Sequence, residues 1–157
     1  MIRIGHGCDV HAFTAGDSIT IGGVQIAHDF ALEAHSDGDV LIHALCDALL
    51  GAAGLGDIGK HYPDDNEKYL NISSRELLVD VHNKLAGLAY KLVNADMTVI
   101  AQRPKMEPHL GAMITNLSTD LHCDPDQLNI KATTTETLGY LGREEGIAVH
   151  AVVLIEQ

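Results

Sequence analysis

The chain predicts an α/β fold, close to α+β: a mixed β-sheet with helices on one face, in a single domain spanning residues 1–157. Three observations predict it. Segments of period-2 and period-3.6 hydrophobicity follow one another as strands, helix, helix, strand, helix, strand, strand, an order that implies a sheet covered by helices. The length of 157 residues suits one domain with a real core. The closing run, residues 147–155, is apolar on both faces, so neighbouring subunits are expected to cover the sheet face that the helices leave bare.

Residues 2–12 alternate as a strand. Ile2, Ile4, His6, Cys8 and Val10 point one way, and Gly5, Gly7, Asp9 and His11 the other, where the two glycines leave room for a close backbone approach. Residues 19–26 read as a hairpin about Gly22-Gly23, followed by a loop to His35. Ser36 and Asp39 form a capping-box pattern that starts a helix near Asp37 and ends it around Gly51, Gly54 and Gly56. On that helix Asp39, His43 and Asp47 share one stripe, and Leu41, Leu45, Ala48 and Ala52 another. Residues 56–66 are rich in turn formers and carboxylates, hence a loop. A second capping box, Ser73 to Glu76, opens a helix to about Leu88, with Leu77, Leu78, Val81, Leu85 and Leu88 inside. Residues 92–101 form a buried strand, 102–108 a loop, 108–121 a third helix with Pro108 in its first turn, and 128–134 a strand. A glycine-rich turn through Tyr140 and Arg143 leads into the last strand.

Composition removes several functions. Ten Lys and Arg against 22 Asp and Glu give a net charge of −12, and a surface so acidic repels nucleic acid. A hydrophobic content of 46% and a mean hydropathy of +0.07 exclude a disordered chain. Cys8, Cys46 and Cys123 are odd in number and widely spaced, as expected of reduced thiols in a cytoplasmic protein. The amino terminus lacks an apolar leader, and no apolar run is long enough to cross a membrane.

Two groups of residues can carry chemistry. Asp9 and His11, two apart on a strand, project to the same side with α-carbons about 6–7 Å apart. His43 from the facing helix would complete a three-ligand set with one position open, the form of catalytic zinc sites. The same spacing also suits a solvent-facing Asp-x-His, with His43 as a packing histidine. The second group is the run from Lys131 to Glu136, where Thr133, Thr134 and Thr135 offer hydroxyls to phosphate oxygens and Glu136 a hard-cation ligand. Threonine runs are equally good strand formers. Arg143 can pair with a phosphate or a surface acid.

Together these segments resemble the 2-C-methyl-D-erythritol 2,4-cyclodiphosphate synthase family. The resemblance rests on Gly5 to His11, on His35 to Val40 with His43, on Asp47 to Ala52, and on Gly56 to Lys60. It continues through Pro63-Asp64, Ala101-Gln102, Pro104 to Met106, Pro108-His109, Lys131 to Glu136, Gly139, Gly142-Arg143 and Glu145 to Ala148. No one motif is specific; the ordered series, from residue 2 to the last strand, is.

The resemblance implies a homotrimer whose subunits meet at the bare sheet face, with active sites between them. The implied reaction cyclises 4-diphosphocytidyl-2-C-methyl-D-erythritol 2-phosphate and releases CMP, a step of non-mevalonate isoprenoid synthesis. Zinc would be held by Asp9, His11 and His43, and a magnesium or manganese ion by Glu136 and the substrate diphosphate. His35 and Thr134 would steady the transition state. Ser36, with Tyr62, Pro63, Asp64, Asp65 and Asn66, would lie near the methylerythritol phosphate, while Asp57, Ile58 and Gly59 would meet the ribose. Ala101, Gln102, Arg103, Pro104, Lys105, Met106 and Glu107, with Thr133, would hold the cytosine and phosphates, largely through backbone groups. Thr135, Tyr140 and Arg143 complete the implied substrate-binding set. Two other functions suit the same residues: a metal-dependent nucleotide phosphohydrolase and a non-catalytic trimeric ligand-binding module.

The chain departs from the family pattern in places. Cys8 stands where Phe is usual, and Glu144 where a small or neutral residue is common. Both positions border an axial cavity that, in the family, accepts an isoprenoid diphosphate. Arg103 and Glu107 replace apolar residues in the cytosine loop.

Overall fold

A computed structural model describes residues 1–34, 36–63 and 72–157. The expected roles of His35, Asp64, Asp65 and Asn66 therefore fall outside the described residues. The strands are β1 (Ile2–Ala15), β2 (Ser18–Ile21), β3 (Val24–Ala27), β4 (Phe30–Leu32), β5 (Lys91–Ile100), β6 (Leu128–Thr133) and β7 (Gly146–Glu156). The helices are α1 (Val40–Ala53), α2 (Ile58–His61), α3 (Ser74–Gly87), α4 (Leu110–Leu121) and α5 (Gly139–Gly142).

Five strands form one mixed sheet in the order β4-β1-β7-β5-β6, antiparallel except for the β5-β6 pair, and β2-β3 form a separate hairpin. This is the expected α/β architecture with helices on one face. The predicted alternation of β1 holds. Gly5 and Gly7 are buried on the helix side, while Ile2, Ile4, Cys8 and Val10 are exposed on the other. Val152 of β7 adds to that apolar surface.

The glycines let α1 lie directly on the sheet. A β-carbon on Gly5 would stand 1.9 Å from the carbonyl oxygen of Ala48, and one on Gly7 2.0 Å from that of Ala44. With small residues on its own side, α1 comes close enough that ten of its residues are buried.

Several boundaries differ from the sequence expectation, each for a local reason. Helix α1 starts at Val40 rather than near Asp37, because Gly38 takes a left-handed φ of 73° and Asp39, not Ser36, caps the helix. The fully buried Asp39 carboxylate accepts from the amides of Ile42, Gly22 and Gly23 and so pins the hairpin turn to the helix start. Burial pushes this carboxyl up to about 6, against the pull of the three amide donors. Strand β1 runs past residue 12 to Ala15 because Phe13, Thr14 and Ala15 pair with β4, which hydrophobicity did not reveal in so short a segment. The expected loop at 56–66 contains α2, capped by Asp57 accepting from Lys60 N at 2.9 Å. Ser73 precedes α3 without a side-chain cap bond, and the Glu76 amide goes to the Ser73 carbonyl instead; Leu88, expected inside, is exposed because the helix ends at Gly87 and Leu88 is its cap. A 3-10 turn, Glu107–His109, takes up the first part of the expected third helix. The glycine-rich turn holds α5. Arg75 on α3 reaches Asp120 on α4 through a two-pronged ion pair, at 2.7 and 2.8 Å, that joins the outer helices.

Candidate active site

Strand β1 brings Asp9 and His11 to its helix-facing side, and the first turn of α1 brings His43 opposite. The Asp9 Oδ2 lies 3.0 Å from His11 Nε2 and 3.2 Å from His43 Nδ1, and the two ring nitrogens are 3.1 Å apart. Zinc with nitrogen and oxygen ligands at 2.0–2.1 Å requires a tetrahedral edge of about 3.3 Å. The triad therefore fits a cation with little adjustment.

The outer partners fix which nitrogens face inward. His11 Nδ1 donates to the Glu33 carbonyl at 2.7 Å, leaving the Nε2 lone pair toward Asp9. His43 Nε2 donates to Ser74 Oγ at 2.9 Å, with Ser36 Oγ at 3.2 Å, leaving the Nδ1 lone pair inward. Ser74 in turn donates its hydroxyl to Asp37, whose other oxygen accepts the Ser74 amide at 3.0 Å. With these tautomers two lone pairs and a carboxylate converge, an arrangement that favours a cation among them. Burial alone would raise the Asp9 carboxyl, yet His11 and His43 outweigh it and hold it well below the usual carboxylate range. Burial would lower His11, and the bond and charge of Asp9 reverse that and raise it.

The sequence did not single out Ser74 and Asp37 as site residues. Ser74 passed for part of a helix cap; the available signal was a second serine directly behind that cap. Its tertiary role predicts a measurable effect. Ser74→Ala should weaken metal binding about 10–100-fold while the fold is retained. Competition against a chromophoric chelator measures this, and unchanged affinity would exclude the positioning role.

The triad lies in a cavity of about 560 Å³ lined also by Glu33, Ser36, Asp47, Ile58, Gly59 and Tyr62. Asp47 accepts from Ile58 N at 2.7 Å and so ties α2 to α1. Burial raises its carboxyl. The Tyr62 hydroxyl bonds Asp80 and Lys84.

A second cleft of about 370 Å³ gathers the other candidates. Ala101, Gln102, Pro104, Lys105, Met106 and Glu107 line one side, and Thr133, Thr134 and Glu136 the other. Gln102 Oε1 accepts from Thr135 N at 3.0 Å, and Ala101 N donates to the Thr133 carbonyl, so the two sides are braced together. Thr134 Oγ1 donates to Glu136 Oε1 at 3.2 Å, and Glu136 has a left-handed φ of 53°. Arg103 turns away from this cleft. Tyr140 is exposed, and Arg143 pairs with Glu145 at 2.7 Å.

The clefts sit at the same end of the sheet but apart. Asp9 pairs with Val149, Val149 with Val99 and Val99 with Ala132, so three strand spacings, about 14 Å, separate the triad strand from β6.

An α/β sheet that gathers three candidate cation ligands in a cavity lined with carboxylates, at the same end as a cleft of hydroxyls and one carboxylate, fits the class of metal-dependent enzymes that act on phosphate esters. Residues 2–156 match the model of the YgbB family, and the chain belongs to that family. A protein of Pseudomonas syringae pv. syringae, named 2-C-methyl-D-erythritol 2,4-cyclodiphosphate synthase, is 60% identical over 154 residues, 98% of each chain. Among solved structures, the bifunctional IspDF from Campylobacter jejuni superposes with a TM-score of 0.95 at 47% identity; the match covers 99% of this chain and 42% of that one. A 2C-methyl-D-erythritol-2,4-cyclodiphosphate synthase in its CDP-bound form gives a TM-score of 0.90 at 34% identity, covering 98% of this chain and all of the other.

Proposed function

We infer that this chain, acting as one catalytic domain, cyclises 4-diphosphocytidyl-2-C-methyl-D-erythritol 2-phosphate to 2-C-methyl-D-erythritol 2,4-cyclodiphosphate with release of CMP, in non-mevalonate isoprenoid biosynthesis. The observation that carries the reading is the Asp9-His11-His43 triad on the wall of its cavity, in a chain of this family.

The substrate supplies its own nucleophile. An oxygen of the 2-phosphate attacks the β-phosphorus, the bond from that phosphorus to the bridging oxygen breaks, and CMP leaves with that oxygen. The protein therefore needs no general base for the attack, and its work is alignment and charge neutralisation. Zinc on Asp9, His11 and His43, with magnesium or manganese on Glu136, would supply the positive charge at the diphosphate that a chain of net charge −12 lacks. Thr134, with His35, steadies the transition state. Ser36, Tyr62 and Pro63 receive the methylerythritol phosphate, and Asp57, Ile58 and Gly59 the ribose. The 101–107 loop with Thr133 receives the cytosine and phosphates, with Thr135, Tyr140 and Arg143 at the margin.

Geometry supports an oligomer. Both cations would act on one diphosphate, whereas Asp9 and β6 of one chain are about 14 Å apart across the sheet. That separation supports a pairing of one copy's triad cavity with a neighbour's nucleotide cleft. A homotrimer does this while covering the open face of Ile2, Ile4, Val10 and Val152. The same face would border an axial cavity for an isoprenoid diphosphate, with Cys8 and Glu144 altering its lining and charge. No described helix is long and apolar enough to cross a membrane; the cytoplasm is the proposed site of action.

Purified protein given the cytidylyl substrate with zinc and magnesium should release CMP, with phosphorus NMR showing the cyclic diphosphate. Linear phosphates would indicate a phosphohydrolase, and cytidine nucleotide binding without turnover a ligand-binding module.

A further inference from the structure

Two of the residues that depart from the family pattern, 41 positions apart in sequence, meet in the structure. Arg103 Nε and Nη2 donate to Glu144 Oε2 at 2.9 and 2.7 Å, and Arg103 Nη1 donates to Asp29 Oδ2 at 3.3 Å. Arg103 follows β5 in the nucleotide loop, yet its side chain is not part of the cleft that Gln102, Pro104, Lys105 and Met106 line. Glu144, in the turn before β7, has φ of 58°, a conformation in which glycine carries no strain. A carboxylate at such a position needs a reason, and Arg103 provides one. Asp29 lies in the β3-β4 turn, four residues before Glu33, whose carbonyl orients His11.

The guanidinium thus spans the start of β7, from the nucleotide loop to the turn that leads to the metal triad. Single exposed ion pairs contribute little, but one cation shared by two carboxylates from separate loops restricts all three. Gln102 braces the other side of the same loop through Thr135. The 101–107 loop is thereby anchored at two adjacent residues, Gln102 to Thr135 and Arg103 to Glu144 and Asp29.

We propose that Arg103, Glu144 and Asp29 form a charged strap that holds the 101–107 loop in its nucleotide-receiving form, with Arg103 a positioning residue for the cytidine end of the substrate. The proposal rests on the cyclase reading given above. A preformed loop loses less freedom on binding, so the strap acts on nucleotide affinity and KM and leaves the chemical step alone.

The test uses the full-length protein loaded with zinc and magnesium. Glu144→Gly relieves the left-handed residue and should fold at least as stably, yet raise KM and the Kd for CDP about 5-fold, with kcat within about twofold. Asp29→Asn should act the same way, more weakly. Glu144→Arg alone should be worse than Glu144→Gly, and the exchange Arg103→Glu with Glu144→Arg should restore KM to within about twofold of the parent. An unchanged KM in Glu144→Gly overturns the proposal. So does an exchange variant no better than the single reversal, which would mean that Arg103 touches the substrate itself. The failure of the parent protein to bind CDP or release CMP would instead overturn the cyclase reading.

Discussion

His43→Ala is expected to abolish stoichiometric zinc and to cut CMP release on the order of 10³-fold, the worth of several kcal/mol of charge stabilisation at the reacting phosphate. The fold should survive, because His43 is only partly buried and its removal leaves Asp9 and His11 paired at 3.0 Å. The loss should exceed that in Ser74→Ala by a wide margin. One variant removes a converging lone pair, while the other frees the ring to choose its tautomer. Metal analysis by mass spectrometry, with thermal unfolding as the control for folding, decides the matter. A variant that kept one zinc per chain would disprove the ligand set.

Gly7→Ala is expected to destabilise the protein by about 3 kcal/mol, the upper part of the range for overpacking a close-packed core. The added carbon would lie 2.0 Å from the Ala44 carbonyl oxygen and 2.7 Å from the Ala48 amide nitrogen. Both atoms are backbone of α1, so no side-chain rotation relieves the clash. The helix would have to move, and it carries His43. A site that tolerates displacements of about 0.5 Å should then lose metal affinity as well. Gly51→Ala is the matched control. It lies in the same helix, an added methyl there would meet nothing within 4 Å, and the change should stabilise by up to about 1 kcal/mol. Chemical denaturation of the two variants measures the contrast, and equal stabilities would refute the close-approach account of Gly5 and Gly7.

Much of the fold was legible because its signals are local. Alternation in β1, the Gly22-Gly23 hairpin, the apolar faces of α1 and α3 and the final strand were all read from spacing, and each lies within one or a few residues of its expected place. The misreadings fall where tertiary contacts choose between local options. Asp39 fits two roles in sequence, a member of the polar stripe or a cap; the hairpin amides of Gly22 and Gly23 settle it as a buried cap. Strand β4 exists because β1 offers it an edge.

By itself the sequence determined which residue types were available and their placement on strand or helix: an acid and an imidazole two apart, a second imidazole on the helix that follows, and a threonine run ending in glutamate. That follows from the fixed periods of strand and helix, which need no knowledge of the partner element. Only the tertiary structure decided that His11 and His43 turn their lone pairs inward, that Ser74 and Asp37 hold one of them there, and that Arg103 joins Glu144 rather than the cleft lined by Gln102 and Thr133. Those outcomes depend on hydrogen-bond partners tens of residues away, and the distance between such groups is set by packing, which no local pattern encodes.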